Sequence, residues 1–362
     1  MVKSDRPPAN AFVAVARKLY NPIGFSKGYN FVCFFIAAGY LFGFTLSRLP
    51  YFDFHGVFCK PNAGANGAAP GECYYWLRNP FKVGMQIHLY TILPAALLVC
   101  LQFVPAIRHK VILLHRLNGY LVIALSTVSS AGAIMILPHS FGGEFATQTM
   151  GGVLVIPSES TTLAYVFAII NIKLLQIDQH RAWMLRAWAY FSIIITLRMI
   201  QFSSSAITAR MDTWYTTRPC VQIVSIWGPN NTMQAYPGCQ PFFDGTNPDQ
   251  RVVVKADYTS KSPIELTAGI GLSFGAAGFL ALWIHAIIIE VYLRLTPAES
   301  ERLRQVSYER QLARGFKRPG YAGLTAGRFG DAPPFVPTQD HSKLGEEIEM
   351  LSKPNGGYSP SV

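Results

Sequence analysis

Along the chain, long apolar stretches alternate with polar ones, and six of the apolar stretches have the length of membrane-spanning helices: residues 31–49, 83–107, 111–137, 161–176, 183–206 and 264–293. A bilayer core of about 30 Å needs about 20 apolar residues in a helix, because each residue advances about 1.5 Å. The stretch at 161–176 is the least apolar of the six, with Asn171 and Lys173 inside it. The pattern predicts an all-α, polytopic transmembrane helix bundle of about six spans over residues 30–293. An N-terminal leader, 1–29, precedes it, and two loops, 50–82 and 207–263, interrupt it. Within the leader, residues 9–20 fit either a short amphipathic helix on the membrane surface or a disordered segment. The polar residues 294–362 read as a basic, largely disordered tail, with Pro, Gly and Ser frequent beyond about Tyr321 and at most a short helix at 346–351.

Composition removes the soluble alternative. Half of the residues are hydrophobic and only 14% are charged, against about 25% in an average globular protein. The first thirty residues carry scattered basic side chains and no cleavage pattern, so the first span is expected to remain as an anchor. A net charge of +11 raises the question of an anionic partner. No aromatic residues interleave with the basic ones in a binding pattern, so nucleic acid is not expected; the Arg-rich start of the tail is expected against anionic lipid headgroups.

Loops rich in Lys and Arg stay on the cytosolic side. Arg108 with Lys110, and Arg181 with Arg186, mark two such loops, whereas residues 138–159 contain neither residue type. Both termini are therefore expected in the cytosol. Cys59 and Cys73 share the loop 50–82, and Cys220 and Cys239 share the loop 207–263; this threading puts both loops on the oxidising side, where disulfides persist. Cys33 and Cys100 fall inside helices as packing thiols. The sequon Asn230-Asn231-Thr232 makes Asn230 a candidate glycosylation site on that same side. The expected location is a membrane of the secretory pathway or the plasma membrane. Tyr74, Tyr75, Trp76, Trp214 and Tyr215 are expected in the interfacial aromatic belt, and Gly271 with Gly275 permits a close helix approach.

Ionisable groups in a membrane need a partner or a function, and here they cluster at two depths. On the inner side lie Arg108, His109, His115, Arg116, His180, Arg181, Arg186 and Glu290; on the outer side lie His88, His139, Arg198 and Gln201. The strings HLYTILPAALLVCLQFVPAIRHKVILLHRLNGYL, then Gly142-Gly143, then HRAWMLRAWAYFSIIITLR resemble the membrane family known as domain of unknown function 2306. The resemblance covers about residues 85–201. Its matched positions are His88, Arg108, His115, Arg116, Gly119, Gly142, Gly143, His180, Arg181, Trp183, Met184 and Arg198. It implies a multi-pass membrane core and brings no settled activity, so whether the protein is an enzyme stays open.

Three functional classes remain. The first is a haem b electron-transfer protein, by distant analogy with the transmembrane ascorbate-dependent cytochromes and cytochrome b ferric reductases. His115 and His180 would be the axial ligands of an inner haem, serving a small redox partner. Arg108, Arg116, Arg181 and Arg186 would face the propionates, and His88 with His139 would form an outer pair. Those cytochromes carry histidines on four successive core helices, and the fourth span here has none. The second class is a structural polar belt joining helix ends to one another and to lipid phosphates. The third is a non-haem membrane enzyme or accessory protein of lipid or secondary metabolism, with His as proton carrier and Arg as anion clamp. No acidic magnesium-diphosphate motif lies within the helices, and no internal repeat suggests a transporter.

Overall fold

In a computed structural model, the described residues are 7–60, 67–155, 161–333 and 335–337. The longer helices are α1 (Ala11–Tyr20), α2 (Gly28–Leu46), α3 (Phe81–Gln102), α4 (Ile112–Ile136), α5 (Phe145–Val155) and α6 (Thr161–Lys173), followed by α7 (Ile177–Phe191), α8 (Ile193–Met211), α9 (Cys220–Ala235), α10 (Pro263–Arg294) and α11 (Pro297–Ala313). Strands β1 (Tyr215–Pro219) and β2 (Arg251–Lys255) pair antiparallel with Thr217 opposite Val253. The chain divides into two compact units, one of residues 1–163 and 187–288, the other of residues 164–186 and 289–362. The all-α polytopic architecture expected from the pattern is the one observed.

Among the described residues five helical runs are long and apolar enough to cross a bilayer: α2, α3, α4, the run Ile177–Met211, and α10. The expected span at 161–176 contains a shorter apolar helix, α6. It has 13 described residues, and residues 156–160 just before it lie outside the described ones. It stops because Leu175 turns left-handed at φ 57°, which lets the Gln176 N–H close back on the Asn171 carbonyl at 2.8 Å.

In the first unit α3 and α4 pack backbone to backbone. A β-carbon on Gly132 would lie 2.6 Å from the Gly84 carbonyl oxygen and 2.7 Å from the His88 nitrogen, so only glycine permits this approach. Polar side chains stitch the same pair: Asn118 donates to the Leu98 carbonyl at 3.0 Å and Gln102 to the His115 carbonyl at 3.2 Å. In α10, His285 donates from Nδ1 to the Ala189 carbonyl at 2.7 Å, so its Nε2 accepts from the Thr196 hydroxyl at 2.8 Å. Large apolar residues such as Phe35, Ile36, Trp283 and Ile287 stay exposed, as helices facing lipid require.

Disulfides Cys59–Cys73 and Cys220–Cys239 tie down the two loops. The first holds the turn Cys73–Trp76 inside a core of Phe54, Phe58, Met85, Leu89 and Ile136. Trp76 is fully buried and Tyr75 nearly so, which corrects their expected place in an interfacial belt; Trp214 and Tyr215 are exposed as expected. Val254 of β2 packs with Ile223 of α9 and Ile264 and Ala268 of α10, seating the hairpin on this end of the bundle.

The second unit corrects the expectation of a largely disordered tail for residues 297–313, which form α11. Its sequence is polar overall, and one leucine and two polar residues, Leu303, Ser307 and Gln311, share one buried face at helical spacing. Gln311 donates to the Leu174 carbonyl and to Oε1 of Gln176, both at 2.9 Å. The Ser307 hydroxyl accepts from the Ile177 N–H at 2.8 Å, and Oδ1 of Asn171 accepts from the Leu324 N–H at 2.8 Å. The short helix expected at 346–351 lies outside the described residues.

Candidate functional site

After α4, three successive residues adopt left-handed backbone: Phe141 (φ 51°), Gly142 (φ 85°) and Gly143 (φ 66°). A β-carbon disfavours that conformation by about 1–2 kcal/mol, so Phe141 keeps it only where its neighbours enforce it. They do so from both sides. The Phe141 N–H donates to Oε1 of Glu72 at 2.6 Å, and its carbonyl accepts from Nη1 of Arg218 at 3.5 Å. Its ring stacks on Phe274 of α10 with centroids 3.9 Å apart.

Arg218 enters from β1 and is 1% exposed. It pairs with Glu144 at 3.0 Å, and Nη2 donates to the carbonyls of Thr267 and Ala268 at 3.0 and 3.3 Å. Two glycines make room for the guanidinium. A β-carbon at Gly142 would lie 1.5 Å from Nη1, and one at Gly271 would lie 2.1 Å from Nη2. Gly275 likewise admits the backbone of Ala146 and Thr147, so the Gly271–Gly275 pair serves packing within the chain. Glu144 also accepts from the Thr216 hydroxyl. Burial lowers the Arg218 pKa from its ordinary value, while Glu144 and then Glu72 pull it back.

Glu72 is 4% exposed and sits beside the half-cystine Cys73. Burial pushes its carboxyl up to about 7, against the opposing effects of the Phe141 N–H, the charge of Arg198, the Trp76 indole and Arg218. A carboxyl poised there both accepts and donates a proton at neutral pH, the requirement for general acid–base work. Arg198 projects from α8, where Nη1 donates to Oε1 of Gln201 at 2.9 Å. Gln201 in turn donates to the Ile270 carbonyl at 2.9 Å. The guanidinium lies over the rings of Phe141 and Phe274, 4.7 and 5.3 Å from their centroids. From β2, Nη2 of Arg251 donates to the Gly142 carbonyl at 3.2 Å. The buried amide of Gln222, packed against Gly71, has no hydrogen-bond partner among the described residues.

The other expected site residues have separate placements. His139 stacks on Tyr75 at 4.0 Å and meets the Phe81 edge at 4.3 Å; burial, then Arg251, lowers its pKa from the ordinary value. His88 instead faces Ser129 on α4, with Nδ1 2.9 Å from the hydroxyl and 3.2 Å from the carbonyl. The two imidazoles thus have different partners. His115 belongs to the first unit and His180 to the second. Nδ1 of His180 donates to the Ala168 carbonyl at 2.9 Å. Arg108 and Arg116 are exposed. Arg181 donates to the Thr296 hydroxyl at 3.3 Å, and Arg186 makes a two-point ion pair with Glu290 at 2.6 and 3.0 Å. Asn230 lies exposed on α9. No group of three or more His, Cys, Asp or Glu side chains suited to a metal ion occurs among the described residues.

Sequence reasoning located Arg198, Gln201 and the Gly142–Gly143 pair but missed Glu72, Glu144 and Arg218. A signal existed for two of them: Glu72 is adjacent to Cys73 and Arg218 is two positions from Cys220, so each charge is anchored by a half-cystine.

Phe141, Gly142–Gly143, Arg198 and Arg218 all fall within one recognisable segment. Residues 85–233 match DUF2306, described as a predicted membrane protein. The DUF2306 segment includes Glu144 and Gln201, whereas Glu72 and Arg251 lie outside it. The chain is also similar to the Ava biosynthesis cluster protein G of Aspergillus versicolor, 26% identical over 328 residues that cover 78% of this chain and 94% of the relative. No solved structure matches the chain.

Proposed function

We propose that this multi-pass membrane protein serves secondary metabolism by acid–base chemistry on a membrane-soluble intermediate, at the site built around Glu72 and Arg198. The observation that carries the reading is the buried Glu72 carboxyl, bonded to a left-handed peptide and flanked by two arginines. Glu72 takes a proton from one atom of the substrate and returns it to another, so no oxidant or co-reactant enters. Arg198, braced by Gln201 and two phenylalanine rings, orients the substrate. The relative named for a biosynthesis cluster supports this class of role. In the corresponding topology both termini are cytosolic and the disulfide-bearing end faces the lumen or exterior, which agrees with the paired cysteines there.

The test is a metabolite comparison in the producing cell. Removing the gene should make an intermediate accumulate; reintroducing the wild-type chain should clear it, and the Glu72→Gln chain at equal abundance should not. Clearance by Glu72→Gln would refute the reading.

A second reading, haem b with His180 as an axial ligand, rests on the Ala168 carbonyl. Its contact puts the His180 proton on Nδ1 and the lone pair on Nε2, the form that ligates iron. An absorption spectrum of protein made with ample haem decides it: without a Soret band this reading fails.

A further inference from the structure

We infer that α1 is a membrane-surface anchor: its Phe12–Val15–Leu19 face lies in the headgroup layer of an acidic leaflet, and Lys18 and Lys27 meet the lipid phosphates beside it.

By sequence, residues 9–20 fit either a surface helix or a disordered segment; in the structure Ala11–Tyr20 form a helix. Asn10 caps it, its side chain accepting from the Val13 N–H at 2.9 Å. Residues 12, 15 and 19 follow the three-and-four spacing that puts side chains on one helical face. That face is bare, with Phe12, Val15 and Leu19 exposed by 80, 60 and 66%. A different side of α1 holds the helix to the protein: Tyr20 is buried and stacks on Phe31 of α2 with centroids 5.7 Å apart. Just beyond, buried Phe25 packs against Phe31 and Phe34. Three large apolar side chains on one braced face call for a cover.

The height of α1 decides what covers it. Three residues past the helix, the Ile23 carbonyl accepts from the Ala106 N–H at 2.9 Å. Gly24 follows at φ 97°, where a β-carbon would lie 2.7 Å from that same nitrogen, so glycine permits the close approach. The link from α1 to α2 is thereby fixed to the short helix Pro105–Lys110, which joins α3 to α4. Two elements mark the edge of the hydrocarbon at this end of the bundle. On α4, exposed Lys110 gives way at once to exposed Val111 and Leu113; on α2, exposed Lys27 gives way to exposed Tyr29 and Val32. Helix α1 is tied to the level where charge yields to lipid-facing apolar surface, the level at which interfacial helices lie.

Charge selects the kind of lipid. Residues 1–29 carry five basic side chains against one acidic, and exposed Lys18 is next to Leu19 of the apolar face. A small apolar face with a basic border fits an acidic leaflet, and in the proposed topology this end faces the cytosolic one, where such lipids concentrate. Three side chains make too small a patch for a stable protein interface, which buries about 800 Å² per partner.

The experiment uses the full chain carrying Cys33→Ser and Cys100→Ser, so that both disulfides remain, with a bimane label at Phe12→Cys or at Ala14→Cys. The two-residue offset places position 14 on the far side of the helix from position 12. Each labelled chain is reconstituted in vesicles of tail-brominated phosphatidylcholine, with or without phosphatidylserine. With phosphatidylserine, the label at 12 should emit at shorter wavelength and be quenched several times more strongly than the label at 14. Lys18→Gln should lower the ratio of lipid-seated to solvent-facing helix by about fivefold, the effect of one basic charge at an acidic surface, with the melting point unchanged. Equal, water-like emission at both positions overturns the anchor. A label at 12 that is shielded from water yet not quenched by brominated tails shows a protein cover, such as a second copy of the chain, and overturns it too. Equal quenching with and without phosphatidylserine overturns the preference for acidic lipid.

Discussion

Two buried polar regions, one in each unit, use the same residue types to opposite ends. Around α11, Asn171, Gln176, Asp178 and Gln311 are nearly or fully buried, and each is met by short hydrogen bonds within the unit. Around Phe141, burial comes with a raised carboxyl pKa, three left-handed residues in a row and an unpartnered Gln222 amide. Internally satisfied networks specify a structure. Strain and unbalanced charge, by contrast, persist where a ligand or a reaction makes use of them. The comparison separates a polar belt, which the Arg186–Glu290 pair also fits, from the candidate site.

The largest effect that could break this contrast is steric. Gly142→Ala adds a β-carbon at positive φ and on top of Nη1 of Arg218, stranding a buried charge at a cost of about 3–5 kcal/mol. Folded protein recovered by size exclusion should fall to a small fraction of wild type. Next comes pH. The Glu72 carboxyl has a higher pKa folded, about 7, than the ordinary 4.5, so its contribution is fully present below pH about 4.5 and is lost as pH rises through 7. The span corresponds to about 3 kcal/mol. Melting temperature against pH should show this decline, and Glu72→Gln should flatten it.

In the second unit, Gln311→Ala should lower stability by about 1–3 kcal/mol by orphaning its buried partners, seen as a lower melting temperature with metabolite conversion unchanged. Smallest is Arg186→Gln. Its pair with Glu290 is partly exposed, 22% and 41% by side chain, and a change of about 1 kcal/mol or less is expected in the same melting assay.

Much of the fold was legible because lipid imposes length and composition on each span, which α2, α3, α4 and α10 display directly. Helix α6 ends short of residue 176 because the backbone turns left-handed at Leu175. Helix α11 was hidden because its buried face consists mainly of Ser307 and Gln311, polar residues whose partners at Leu174, Gln176 and Ile177 meet them only after folding. At the site, Arg198 announced itself by lying deep in a span. Glu72 lies in a polar loop, where a carboxylate is unremarkable until the disulfide Cys59–Cys73 and its neighbours bury it.

The proton affinity of Glu72 is the property on which the account turns, and infrared difference spectroscopy reads it directly. Titrating the protonated-carboxyl C=O stretch of the purified chain, with Glu72→Gln as the subtracted reference, should give a Glu72 midpoint near 7. A midpoint near 4.5, the ordinary value for a solvated glutamate, would contradict it.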